Sequence, residues 1–202
     1  MAERGRPRGF DRQEALRRAM ILFWARGYEG TSLGELTAAM GINKPSLYSA
    51  FGCKEELFRQ AVALYDETEG GLVQQALDAA STACAAIEAV LRVNAEAYAS
   101  PRKPLGCMIV LSSLIGAPEN EALRGFLTKL RRQGETDLRR RIERGIAEGD
   151  VPPGTDARRL ATFYTTVLQG LSVQARDGAS RKTLNAVVDA AMTAWDALVG
   201  SP

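Results

Sequence analysis

The chain has no histidine among its 202 residues, which removes the commonest general base and the commonest transition-metal ligand together. Its three cysteines, Cys53, Cys84 and Cys107, are an odd number at wide spacing with no CxxC pair. That pattern argues against a disulfide framework or a zinc knuckle and fits a reducing compartment. There is no phosphate loop, no evident pair of inward carboxylates and no Cys/His cluster, so no catalytic residue, metal or cofactor is expected. The residues that stand out are suited to contact. In Lys44-Pro45-Ser46-Leu47-Tyr48-Ser49-Ala50-Phe51, helical spacing buries Leu47 and Phe51 and turns Lys44, Pro45, Ser46, Tyr48 and Ser49 outward. Hydroxyls, an ammonium and backbone amides then lie near a helix N-terminus, where they can meet phosphates and base edges. The Pro45 ring suits a thymine methyl.

The elements that must position this face are helices. Apolar residues recur at three- and four-residue steps throughout, with no alternating strand pattern, so the fold class is all-α. Asp11 with Glu14 reads as a capping box opening a first helix that Gly27 stops. Ser32 with Glu35 opens a two-turn helix that Gly41 ends. Asn43 caps the Lys44–Phe51 helix, with Pro45 in its first turn. Gly52 breaks that helix, and Lys54 begins a long one running to about residue 79. Further helices are expected at 82–99, 104–116, 119–148, 155–177 and 181–199, with the Gly116-Ala117-Pro118 stretch among the breaks. Two short helices joined by Gly41-Ile42-Asn43 form the signature of a helix-turn-helix. Spacing alone also admits a plain helical hairpin, and the polar outer face of residues 44–49 is what favours the first reading.

Charge adds to that face. Of the net +2, residues 1–60 hold ten Arg/Lys against seven Asp/Glu, and residues 61–202 hold sixteen against seventeen. A local excess of this size suits either a polyanion or a solubilising surface. Arg4, Arg6 and Arg8, separated by Gly5 and Pro7, cannot build a core. They read as a solvated tail or as an arm that follows a minor groove. No run of apolar residues is long enough to span a membrane and no secretion signal is evident, so a cytoplasmic protein without membrane contact is expected.

Residues 10–58 resemble, without a gap, the DNA-binding domain of the tetracycline-repressor-like (TetR) family. The resemblance rests on Gly27-Tyr28, Thr31-Ser32, Gly41-Ile42-Asn43, Leu47-Tyr48 with Phe51, and Lys54 followed by Leu57. It implies a flexible basic arm at 1–9, a helix-turn-helix domain at 10–54, and a helical effector-binding and dimerisation domain at 55–202. Thr31 and Ser32 would cap the supporting helix while touching phosphate, Lys44, Pro45, Ser46 and Tyr48 would read the groove, and Lys54 would hold a phosphate. Arg6 and Arg8 would extend the contact. Ala50 departs from the family pattern, where an aromatic or histidine often precedes the phenylalanine, and that removes one expected phosphate contact. The implied function is sequence-specific transcriptional regulation, by default repression, on a pseudo-palindromic duplex bound by a homodimer and released by a small hydrophobic or reactive effector.

A helix-turn-helix of this size reads too few base pairs alone, which independently calls for a dimer. Phe163, Tyr164, Val167, Leu168 and Leu171 form one apolar stripe, and Val188, Met192 and Trp195 belong to another. Each suits internal core, while the resemblance implies that they pair with the same helices of a second subunit as a four-helix bundle. Tyr65, Cys107, Met108, Leu111, Phe126 and Phe163 are candidates for an effector pocket, with plain core as the competing reading. Cys107 at a helix start and Cys53 beside Lys54 are either inert thiols or sensors of oxidants and electrophiles. An all-α enzyme or a helical adaptor is the alternative class, and neither accounts for the polar recognition face.

Overall fold

The computed structural model describes residues 9–112 and 120–200, and among these every regular element is helical. The basic arm with Arg6 and Arg8, and the Gly116-Ala117-Pro118 break, lie outside the described residues. The N-terminal unit is α1 (Arg12–Arg26), α2 (Leu33–Met40) and α3 (Lys44–Phe51), followed by α4 (Lys54–Tyr65). A π-helical turn (Asp66–Gly70) leads into α5 (Gly71–Ala79). Then come α6 (Ala83–Tyr98), the single turn α7 (Met108–Leu111), α8 (Glu121–Glu148), α9 (Ala157–Arg176), α10 (Arg181–Thr193) and α11 (Trp195–Val199).

Local chemistry sets the N-terminal boundaries. Ser32 and Glu35 form a reciprocal capping box at the start of α2. Gly41 ends that helix at φ 68°, ψ 32°, the left-handed conformation that costs a β-carbon dearly. The Asn43 side chain accepts from the Ser46 amide at 2.9 Å and fixes the first turn of α3. At α1 the box is one-sided. Asp11 accepts from the Gln13 and Glu14 amides, but the Glu14 carboxylate turns along the helix to Arg17 at 2.8 Å and Arg18 at 2.9 Å.

Three expected helices differ in detail. The long fourth helix keeps its path to residue 79 but passes through the π turn, which carries the acids Asp66, Glu67 and Glu69. In the 104–116 stretch the described α-helix is only Met108–Leu111, because Pro104 and the positive φ of Gly106 precede it. The last helix breaks at Ala194 between α10 and α11.

α1 packs on α2 and α4, while α8 and α9 form the central pair, with α6 against α9 and α10. One apolar core runs from Ala15 through Phe58 and Tyr164 to Trp195. The N-terminal helices are thus continuous in their packing with the larger bundle, and no linker divides them.

Candidate nucleic-acid interface and internal cavity

Leu47 is fully buried and Phe51 nearly so, which directs the opposite side of α3 to solvent. Lys44, Pro45, Tyr48 and Ser49 are exposed there and Ser46 is half-buried. Tyr48, at 49% exposure, is among the few large hydrophobic side chains left uncovered. The back of α3 is clamped. The Phe10 ring lies 6.5 Å from Phe51, the Arg12 guanidinium sits 4.7 Å over the Phe51 ring, and Arg12 also reaches the Ala50 carbonyl at 3.4 Å.

The turn before α2 is held by an aromatic cluster, with Phe23, Tyr28 and Phe58 at 5.0 and 5.2 Å centroid spacings. Lys54, at the first position of α4, lays its ammonium 4.3 Å from the centre of the Tyr28 ring. Burial lowers its pKa, and the nearby Glu29 and Glu35 carboxylates oppose that shift. Ser32 is exposed at the tip of α2, beside the Arg26–Glu35 ion pair.

Inside the larger bundle is a cavity of about 420 Å3, walled by Trp24, Tyr65, the π turn, Leu77, Asn94, Tyr98, Cys107, Val110, Leu138 and Leu168 among others. Its apolar end carries one polar cluster. Tyr65 and Tyr98 both lie beside the Cys107 side chain, and burial first, then the neighbouring thiol, pushes both phenols far above their ordinary range. The Cys107 amide donates to Ser172 Oγ at 2.8 Å. The acids Asp66, Glu67, Glu69, Glu135 and Asp137 also line it, with the cation Arg131, whose guanidinium donates to the Ile109 carbonyl at 3.1 Å and to Thr128 at 2.9 Å. Glu69 is held by Lys103. Desolvation and then Asp137 raise the pKa of Asp66.

A third feature lies on the outside of α9 and α10. Phe163, Val173 and Val187 are each more than a third exposed, and Val167 and Met192 are half-buried beside them.

Residues 15–61 match the model for bacterial regulatory proteins of the tetR family, and residues 83–191 match that for the tetracyclin repressor-like C-terminal domain. The chain belongs to the TetR family. It is 33% identical over 197 residues to the HTH-type transcriptional repressor ComR of Escherichia coli K12, covering 97% of this chain and 94% of ComR. It is 31% identical over 180 residues to the repressor BdcR of the same organism, covering 89% of this chain and 86% of BdcR. The fold of a cysteine-substituted TetR family regulator, CifR, solved with 26-bp double-strand operator DNA, superposes with a TM-score of 0.93 at 50% identity, covering 95% of this chain and all of that one. The all-α class and the helix-turn-helix followed by a helical C-terminal domain are those of TetR regulators, and the protein is a transcriptional regulator.

Within that frame several sequence expectations need correction. Thr31 is fully buried and its hydroxyl donates to the Gly27 carbonyl at 2.8 Å, so it braces the α1–α2 turn and offers no phosphate contact. Of the proposed cavity residues, Tyr65 and Cys107 are on the wall. Met108 is packed away in the core, half-buried Leu111 packs against that core off the wall, Phe126 faces Arg59 at 4.6 Å, and Phe163 points outward. Leu168, expected at a dimer face, instead lines the cavity. Tyr164, Leu171, Val188 and Trp195 are buried within their own chain. The Tyr164 hydroxyl donates to the Ala191 carbonyl at 3.3 Å, and burial pushes its pKa up to about 12. Sequence reasoning missed Trp24, Asn94 and Tyr98 in the cavity, and Val173 on the outer face.

Proposed function

We propose that the protein is a homodimeric repressor that grips a short pseudo-palindromic duplex with two copies of α3 and releases it when a small apolar or thiol-reactive molecule enters the cavity. The observation that carries the reading is the division of α3. Its apolar residues are consumed by packing, while Lys44, Pro45, Tyr48 and Ser49 are left outward at a capped N-terminus of major-groove size. Ser32 and Lys54 flank this face and supply phosphate contacts, Ser46 adds a groove contact from the half-buried edge, and Arg6 and Arg8 of the arm reach the minor groove. The protein works in the cytoplasm as a regulator and not as an enzyme. No helix among the described residues is long and apolar enough to cross a membrane, and no group of three or more possible ligands assembles there for a metal.

For the effector, the cavity supplies apolar walls with a thiol and two phenols at one end, which suits a small uncharged molecule, including one that alkylates Cys107. Cys53, exposed at the N-cap of α4, is the second thiol that chemistry at the DNA-binding end would use.

Selection of bound duplexes from a random-sequence pool, in the presence of competitor DNA, tests the reading. An inverted repeat with half-sites about one helical turn apart is expected. A retained pool without twofold symmetry, or no retention, overturns it.

A further inference from the structure

One wall of the cavity belongs to the DNA-binding unit. Trp24 lies in the last turn of α1, is only 3% exposed, and lines the cavity beside Tyr65 and Cys107. Its indole N–H donates to the Gly106 carbonyl at 3.0 Å, its ring meets Tyr65 edge-on at 4.8 Å, and the Lys103 ammonium stands 5.8 Å from the ring centre.

The partner of that hydrogen bond has little slack. Gly106 holds φ +75°, and a β-carbon there would come within 2.6 Å of both the Leu111 side chain and the Ser172 carbonyl. Its amide donates to the Tyr98 carbonyl at 2.9 Å, and the following amide, that of Cys107, is bound to Ser172. The next residue of α1 is tied as well, since the Ala25 carbonyl accepts from Arg176 of α9. The C-terminal end of α1 is therefore fastened to the α6–α7 turn, to α4 and to α9.

The opposite end of α1 holds the recognition helix, through Arg12 on the Ala50 carbonyl and the Phe51 ring. Both attachments, Arg12 and Trp24, lie on one unbroken α-helix of 15 residues, which makes a rigid strut of about 18 Å between them. A displacement at one end of an unbroken helix is delivered to the other, because the packed interior between them does not absorb it.

We infer that Trp24 carries occupancy of the cavity into the DNA-binding helices along α1, so that an effector acts on α3 through this indole and not solely through α4. This rests on the reading of the cavity as the effector site, and Trp24 is its positioning residue. A molecule seated against Tyr65, Tyr98 and Cys107 presses on the indole and strains its bond to Gly106. α1 then shifts the clamp behind Ala50 and Phe51.

The test uses N-ethylmaleimide as a cavity probe on the full chain carrying Cys53→Ser and Cys84→Ser, in which Cys107 is the sole thiol. Operator affinity is measured on a duplex recovered from the selection, before and after labelling confirmed by intact mass. Labelling is expected to weaken binding about tenfold or more in this parent. With Trp24→Phe added, equal labelling is expected to change that variant's own affinity by less than about threefold. Trp24→Tyr serves where Trp24→Phe folds poorly. With Trp195→Phe added to the parent, Trp24 is the one remaining tryptophan, and its emission should shift on labelling.

Equal loss of binding with and without Trp24 overturns the strut while leaving the cavity as effector site. So does an unmoved Trp24 emission. A parent that binds DNA but ignores labelling removes the cavity as the control point and the strut with it. Failure of the reagent to reach Cys107 in the native protein closes that end of the cavity to ligands and likewise overturns the inference.

Discussion

Lys44 and Tyr48 are placed for different work on the same face. Both are exposed on α3, but an ammonium next to a helix N-terminus suits a phosphate, whereas a phenol one turn further along reaches the groove. Lys44→Ala should therefore weaken binding to all duplexes alike and reduce the salt slope of log Kd by about one. Tyr48→Phe should leave that slope unchanged and weaken the selected site by about 1 kcal/mol relative to a scrambled one. Titration of both variants at several salt concentrations separates the roles, and a Tyr48→Phe effect equal on both duplexes removes Tyr48 from sequence reading. Thr31 belongs to a third category. Its buried hydroxyl holds the Gly27 carbonyl, so Thr31→Val should cost about 1–2 kcal/mol of stability, or a fall in Tm of roughly 2–8 °C. Binding by the folded variant should suffer less than with Lys44→Ala. A salt slope lowered by Thr31→Val as much as by Lys44→Ala would restore Thr31 as a phosphate contact.

Besides α1, α4 connects the DNA-binding helices to the cavity, and the π turn that follows it is the place where charge bears on stability. A carboxyl whose pKa is raised in the folded state gives stability that is fully present below its unfolded value and is lost as pH rises through the folded value. Asp66 is such a group, raised by desolvation first and Asp137 second, so its ionised form is a standing cost near neutrality. Asp66→Asn should raise Tm at pH 7 by about 1–2 °C, a small gain because solvent screens the site. The gain should fade below about pH 4, where the wild-type carboxyl is protonated in both states. Melting curves across this range check the sign, since a gain that grows on acidification contradicts it. The caps that open α2 and α3 are legible in sequence because Ser32 with Glu35, and Asn43 with Ser46, act within four residues. The π turn is not, since Asp66-Glu67-Thr68-Glu69-Gly70 holds no proline or cap that would set it apart from the α-helix on either side. Still less legible is the cavity. Trp24 and Gly106 are 82 positions apart, and no local pattern distinguishes an indole facing a void from one packed in core.

At the scale of the whole molecule, amphipathic stripes identify α9 and α10 as helices with apolar faces but do not say which face is spare. α9 is apolar on more than one side. Tyr164, Leu171 and Ala175 turn into the chain's own core, while Phe163 and Val173 face out, together with Val187 of α10. Adjacent residues Phe163 and Tyr164 thus have opposite duties, which a period of 3.6 cannot assign when both are aromatic. An outward patch of this kind on paired helices is what a twofold interface requires, since the same surface must meet itself. Phe163→Asp and Val187→Asp should accordingly give a folded monomer by light scattering, with unchanged helical content and a Tm lower only by the lost association. Such a monomer should bind a single half-site weakly and lose most of its affinity for the full palindrome, because two linked contacts no longer act together. Trp195→Ala should behave differently. It opens space against Tyr164, 5.7 Å away, and should destabilise each chain by about 3–5 kcal/mol whatever its oligomeric state. A dimer that survives both aspartate substitutions would move the interface off this face.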